Sequence, residues 1–400
     1  MKILILSCST GGGHNTCAKY IKEELTLNNI ENNFEDFYDI VNTSAKELSS
    51  KLYLSSLSGD GKIFKNVYKL GELYSKTGIK SPVYLVNKLH TKKLYNYIIS
   101  NSYDLVITTH LFPSLTLTAI NKYYEKKIPF ITIATDYEPC PFLEETKPNY
   151  LIMQKHLEDR FINKGIEKQR LITTGIPIST NFINSAKNIK KELNITNEKL
   201  ILIMLGSMGF GNIKEILSDF LEIPNIKIAI ICGTNKTLYT ELNELNNENL
   251  IVYGYTNNIN DLIYSSDIVL SKPGGLSSTE IATIGKPLLH IFPIPGIETY
   301  NTNFFANHNM SITCNTKDEI IANINKLLND NTLAEEMVKN QRKYINQNSA
   351  KDLISLIKKE FKQFNIQINI LNCFLLITYI HQLFLISTKN IGIHYILFNI

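Results

Sequence analysis

The chain has 400 residues, 44% of them hydrophobic and 20% charged, and a net charge of only +4. That length suffices for two domains with a core each, the composition is that of a soluble globular protein, and so small a net charge argues against a nucleic-acid partner. Six cysteines (Cys8, Cys17, Cys140, Cys232, Cys314, Cys373) show no CxxC or Cys/His spacing, which argues against a zinc site or a disulfide frame and fits reduced thiols in a cytoplasm. The N-terminus enters a strand directly, so no signal peptide is expected.

In chain order, KILILS (2–7) reads as a buried strand, followed by the turn STGGGH and a helix over 16–25. YDLVITTH (103–110), PFITIATD (129–136), YLIM (150–153) and RLITTG (170–175) are further short apolar runs bounded by turn residues, with a helix over 115–124. LILIMLG (200–206), KIAIICG (227–233), LIVYGY (250–255), DIVLSKPGG (267–275) and KPLLHIF (286–292) repeat the scheme. Strands alternating with helices predict an α/β chain of two Rossmann-like domains, each with a parallel sheet, facing across a ligand cleft. The expected boundaries are 1–178, an Asn- and Lys-rich linker at 179–199, and 200–345. A C-terminal helix packing back is expected at 346–364, then an apolar tail at 365–400. The tail holds ILNCFLLITYIHQLFLIS, whose Asn372, His381 and Gln382 make it a marginal span, so an interfacial or poorly structured segment is the stronger expectation.

Residues 51–100 stand apart. They hold nine lysines against Asp60 and Glu72, a local +7 that leaves −3 for the rest of a chain at +4. Tyrosines and leucines are interleaved with them. Such a stretch can lie on an anionic membrane, with Lys62, Lys65, Lys69 and Tyr68 as its membrane or acceptor contacts; the plainer alternative is a solvated helical face over an ordinary core.

The second half carries the most informative pattern, SKPGGLSSTEIATIGKPLL (271–289). A strand ends at a Pro-Gly-Gly turn, and a helix is expected to start near Ser277, Ser278 and Thr279 with Glu280 in its first turn. Gly274, Gly275, Ser277 and Ser278 would hold phosphate at the helix N-terminus, and Glu280 would accept from ribose hydroxyls. Gly206, Ser207 and Gly209 of LGSMGFG would close over the same diphosphate. Glu298 and Asn301 of PGIETYN are expected on a loop, facing sugar hydroxyls. Each loop alone is a common tight turn; together they point to a sugar nucleotide.

The pieces STGGGHNTCA (9–18), TTHLFPS (108–114), TDYEPCPF (135–142), TTGIPI (173–178), LGSMGFG, SKPGGLSSTEIATIGKPLL and IPGIETYN (294–301) occur in this order. In that combination the chain resembles the monogalactosyldiacylglycerol synthase and processive diacylglycerol glucosyltransferase family, related to the N-acetylglucosaminyltransferase of the peptidoglycan lipid. The resemblance covers roughly residues 1–345. It implies a GT-B fold and an inverting, metal-free transfer of a hexose. The UDP-sugar donor would sit on the C-terminal domain and a diacylglycerol-type acceptor on the N-terminal one, in a cytoplasmic enzyme peripheral to the inner face of the membrane. Relatives usually carry a histidine just past the TD motif; here the stretch reads Tyr137 to Phe142.

The resemblance places the GGGH turn on the acceptor side, where Gly12 and Gly13 let the backbone approach the donor. His14 stands at a helix N-terminus, whose positive end disfavours imidazolium. A neutral imidazole suits a general base, and Asp136, at a strand end, is the rival base or the group that orients it. His110 is read as structural. Three other functions fit parts of the pattern: a UDP-sugar epimerase, the peptidoglycan-lipid transferase, and a non-catalytic lipid or nucleotide sensor.

Overall fold

The computed structural model describes residues 1–9, 12–44, 46, 62–75, 79–206, 213–294 and 296–361. Met1–Asp352 form one compact unit with two six-stranded sheets, and a second unit starts at Leu353, within the helix Ser349–Glu360. The apolar tail, Ser207 and Gly209 lie outside the described residues, as does much of 45–61.

The first sheet contains β1 (Lys2–Ser7), β2 (Glu31–Asp36), β3 (Leu105–Thr108), β4 (Phe130–Ile133), β5 (Tyr150–Ile152) and β6 (Leu171–Ile172), in the spatial order β2-β1-β3-β4-β5-β6. The second contains β7 (Lys199–Met204), β8 (Ile226–Ile231), β9 (Leu250–Tyr253), β10 (Ile268–Ser271), β11 (Leu288–Ile291) and β12 (Ile312–Cys314), in the order β12-β11-β10-β7-β8-β9. Every paired strand runs parallel. Helices cover both faces of such sheets, so the central strands must be apolar throughout. β3, β4, β10 and β11 are buried at every position, and β1 and β7 at all but the first. Each fully buried Ile or Leu contributes about 1.5–3 kcal/mol.

The sequence pattern missed β2 and β12. Both are edge strands, and β2, ENNFED, is polar and partly exposed because it pairs only with β1. Helix starts also moved. The first helix runs Gly12–Leu27, four residues longer at its start than expected, and the helix expected over 115–124 runs Leu111–Tyr123, capped by His110. The helix after β10 starts at Gly275 and ends at Ile284, so Glu280 lies beyond the first turn. Glu298 and Asn301, expected on a loop, belong to the helix Ile297–Asn307.

Each sheet reverses its strand order once, between β1 and β3 in the first and between β7 and β10 in the second. Open parallel sheets bind ligands at the carboxyl ends of the strands beside such a reversal. A tight seam joins the two reversals. The fully buried Asn301 accepts the Tyr137 N–H at 2.9 Å through its Oδ1, and its Nδ2 donates to Asp136 Oδ1 and to the Pro273 carbonyl, both at 3.0 Å. The Tyr137 ring crosses the seam, with its hydroxyl 2.7 Å from Thr279 Oγ1 and its face stacked on Phe304. At Gly275 the backbones come so close that a Cβ would lie 2.1 Å from the Thr135 carbonyl oxygen.

No side-chain rotation relieves a clash between a Cβ and a backbone oxygen. Gly275→Ala should therefore push the seam open, at a cost of about 1–3 kcal/mol typical of overpacking. A urea titration of the variant should show a lowered midpoint; an unchanged one would contradict the seam as described.

Candidate active site

The reversal of the first sheet presents His14, third residue of its helix, opposite the end of β3. His14 Nδ1 is 2.8 Å from the Thr109 carbonyl oxygen, and the Thr135 hydroxyl lies 2.9 Å from the same nitrogen. A carbonyl can only accept, so Nδ1 carries the hydrogen and Nε2 keeps the lone pair. Thr109 Oγ1 in turn donates to the His14 carbonyl at 3.0 Å. Burial holds the His14 pKa below its ordinary value, against the opposing pull of the Asp136 charge and of the Thr109 carbonyl. The imidazole is neutral near pH 7 and basic at Nε2. His110 packs edge-on against it, ring centroids 4.8 Å apart, and uses its own Nδ1 to accept the Phe112 N–H. That is the structural role expected for it.

At the second sheet, a cavity of about 190 Å³ lies at the carboxyl ends of β7 and β8 and beside the helix Gly275–Ile284. This is below the roughly 300–1,000 Å³ typical of small-molecule sites, as fits two sheets drawn together by the seam. Gly206, Leu276, Ser277 and Glu280 line one side; Gly12, Gly13, Lys19 and Tyr20 of the first helix line the other. Gly206 has φ of 75°, a conformation glycine adopts without strain. Glu280, buried, accepts from the Tyr20 hydroxyl at 2.6 Å. Burial lifts its pKa to about 7, and the Tyr20 hydrogen bond pulls the other way.

Of the expected donor residues, Gly12, Gly13, Gly206, Ser277 and Glu280 converge on this cavity. Gly274 is the N-cap of the helix and Gly275 forms the seam. Ser278 turns inward instead: it is fully buried, 2.9 Å from His290 Nε2. A helix start exposes only some of its first residues, and the one at Ser278 faces β11. Asn301 has both amide hydrogens and its oxygen engaged in the seam. Glu298 accepts the Ile294 N–H at 2.7 Å; burial lifts its pKa to about 7, opposed by that bond and by the Lys272 charge.

Sequence reasoning passed over four residues. Thr109 and Thr135 fix the His14 tautomer, and Tyr20 meets Glu280. Lys272, at the end of β10, is a buried cation whose pKa burial lowers and Glu298 supports. Its signal was present as the lysine of SKPGG, directly before the turn; the threonines and Tyr20 carry none.

The basic stretch contributes the helix Lys62–Ser75. Lys62 and Lys65 lie on it, with side chains outside the described ones, and Lys69 is exposed. Tyr68, expected to face outward, is buried; its ring centroid is 6.1 Å from that of Tyr300, whose hydroxyl donates to Glu72 at 3.0 Å. The reason is the helix face: Tyr68, Gly71 and Glu72 lie one turn apart, and a Cβ on Gly71 would sit 3.2 Å from Pro141. Leu70 and Leu73 point outward, and with Ile79, Leu85, Val86 and Leu89 they are each more than half exposed. Among the described residues no helix is long and apolar enough to cross a membrane.

Residues 14–178 match the family model of monogalactosyldiacylglycerol (MGDG) synthase, and residues 185–344 match that of glycosyl transferases group 1. The chain is 29% identical over 372 residues to a processive diacylglycerol beta-glucosyltransferase of Bacillus subtilis, covering 90% of this chain and 95% of that protein. Among solved structures it resembles MurG of Acinetobacter baumannii (TM-score 0.57, 16% identity, 90% and 99% of the two chains). It also resembles the S. aureus MnaA–UDP co-structure (TM-score 0.60, 12% identity, 90% and 97%). At such identities the structural likeness shows the fold, which is the GT-B arrangement of two Rossmann-like domains.

The His14 environment makes a direct prediction. In an NMR titration its ring should titrate below the ordinary 6.5 with the hydrogen on Nδ1 in the neutral form. The Asp136 charge favours imidazolium, so Asp136→Asn should lower the midpoint further; a rise would refute the arrangement.

Proposed function

We propose that this chain, a glycosyltransferase of GT-B fold joining an MGDG-synthase domain to a group 1 glycosyl transferase domain, moves a hexose from a UDP-sugar to a diacylglycerol-type lipid. The observation that carries this reading is the juxtaposition, across one seam, of a neutral histidine base with a cavity lined by a helix N-terminus and Glu280. The B. subtilis relative's name supports the acceptor class. The epimerase alternative rests on the fold alone.

The acceptor hydroxyl gives its proton to His14 Nε2 as its oxygen bonds to the anomeric carbon. The bond from that carbon to the diphosphate oxygen breaks on the opposite face, and UDP leaves with the electron pair. One displacement inverts the centre. Asp136 steadies the imidazolium that forms, since its charge favours the protonated ring. The charge developing on the diphosphate meets the N-terminal turn of Gly275–Ile284 and Lys272, preorganised groups of the kind that stabilise a leaving anion. Glu280 accepts from the ribose hydroxyls. No metal enters this scheme.

The acceptor is a lipid, so the enzyme docks on the inner face of the cell membrane without crossing it. Lys62, Lys65 and Lys69 meet anionic headgroups, while Leu70 and Leu73 lend apolar contact. Tyr68, turned inward on the same helix, lies toward Asp136, which contributes to lifting its pKa after burial and Cys140.

Two experiments follow. Incubation with labelled UDP-hexoses and diacylglycerol, in the presence of EDTA, should yield a labelled glycolipid of inverted anomeric configuration. His14→Ala should lower that transfer by about 10²–10⁴-fold, the share of a general base, with UDP binding nearly intact. Unchanged turnover would move the role of base to Asp136, and absence of transfer to any lipid would leave a nucleotide-binding protein.

The docking surface is tested by sedimentation with vesicles. Each lysine near an anionic surface contributes about 1 kcal/mol, so reversing Lys62, Lys65 and Lys69 to Glu should release most of the bound protein at low salt without changing UDP affinity. Raising the salt should do the same to the parent protein. Equal sedimentation with neutral and anionic vesicles would overturn the docking role.

A further inference from the structure

We infer that Tyr20 is a positioning residue for the nucleotide: it acts through Glu280, presenting that carboxylate to the ribose from the opposite domain. The inference rests on the reading of Glu280 as the ribose acceptor.

Glu280 is 4% exposed, yet it lines the cavity. A carboxylate so placed is reluctant to ionise, and its side chain has several rotamers to choose among. The Tyr20 hydroxyl answers both problems. It donates to Oε1 at 2.6 Å, the length of a charge-assisted bond, and so favours the ionised form and fixes the orientation. An ionised carboxylate offers about four lone-pair sites. One bond from Tyr20 leaves Oε2 and the second site on Oε1 for two vicinal hydroxyls. The contact therefore prepares the site rather than competing with the ligand.

Tyr20 is itself held independently of that bond. Its ring packs edge-on against Phe182, centroids 5.5 Å apart. It belongs to the helix Gly12–Leu27, whereas Glu280 belongs to the helix Gly275–Ile284. Those helices pack on different sheets, so the donor site is built from both domains. Lys19, the preceding residue, reaches across the same gap to Tyr255, 3.5 Å from its hydroxyl.

The test is a double-mutant cycle on UDP binding by calorimetry, with the full chain. Glu280→Gln should weaken UDP at least tenfold. Tyr20→Phe keeps the ring packing and should weaken it about tenfold, the loss of one charge-assisted bond. In the Glu280→Gln background, Tyr20→Phe should then change the affinity less than twofold, which a merely structural role would not produce. If Glu280→Gln binds UDP like the parent, the ribose reading falls and this inference with it. If Glu280→Gln weakens binding but Tyr20→Phe has no effect, or an equal effect in both backgrounds, the ribose reading stands and the role of Tyr20 is overturned.

Discussion

The three hydrogen bonds of one buried amide hold this site together. Asn301 reaches from the second domain to the Tyr137 N–H and the Asp136 carboxylate of the first, and back to the Pro273 carbonyl of its own. A buried amide with a partner unmade is costly, about 1–3 kcal/mol for each orphaned group, so losing the two bonds to the first domain would leave part of this amide unsatisfied. They bring the end of β4, with Asp136, onto the turn that begins the helix at Gly275. The position of Asp136 relative to the Pro-Gly-Gly turn is set by this clamp, and Gly275 is the residue that lets the backbones meet at that distance.

Burial then sets the chemistry. Around the cleft it drives ionisable groups toward their neutral forms: the imidazole of His14 down, the carboxyls of Glu280 and Glu298 up to about 7, the ammonium of Lys272 down. Each has a neighbour that opposes the drift: Asp136 for His14, Tyr20 for Glu280, and Lys272 and Glu298 for each other. A site built this way leaves its ionisable groups responsive to the charges and hydrogen bonds around them.

Much of this was legible in the sequence, for a physical reason. Strands covered on both faces must be continuous apolar runs, and ten of them stood out; β2 did not, because an edge strand can remain polar, and β12, an edge run of three residues, is too short to show a pattern. Glycine-rich turns announced both reversals, and the cation in SKPGG was visible though unused. The direction of a side chain was not legible. Ser278 and Asn301 have the chemistry of ligands for a sugar nucleotide, and residue type alone cannot say that one faces His290 and the other fills the seam. Tyr68 shows the same limit: a basic, aromatic helix announces a surface, but only packing against Pro141 and Tyr300 decides which tyrosine turns inside. The Thr109 carbonyl, which chooses the tautomer of His14, and the Thr135 hydroxyl beside it lie about a hundred residues away and leave no local trace.

His14 and Tyr20 stand six positions apart on one helix, about 9 Å along its axis at 1.5 Å per residue. The helix thus sets a fixed distance between the proposed base and the residue that steadies Glu280. On the proposed roles of these two residues, the span from the ribose to the anomeric carbon of a bound donor is set against that fixed spacing.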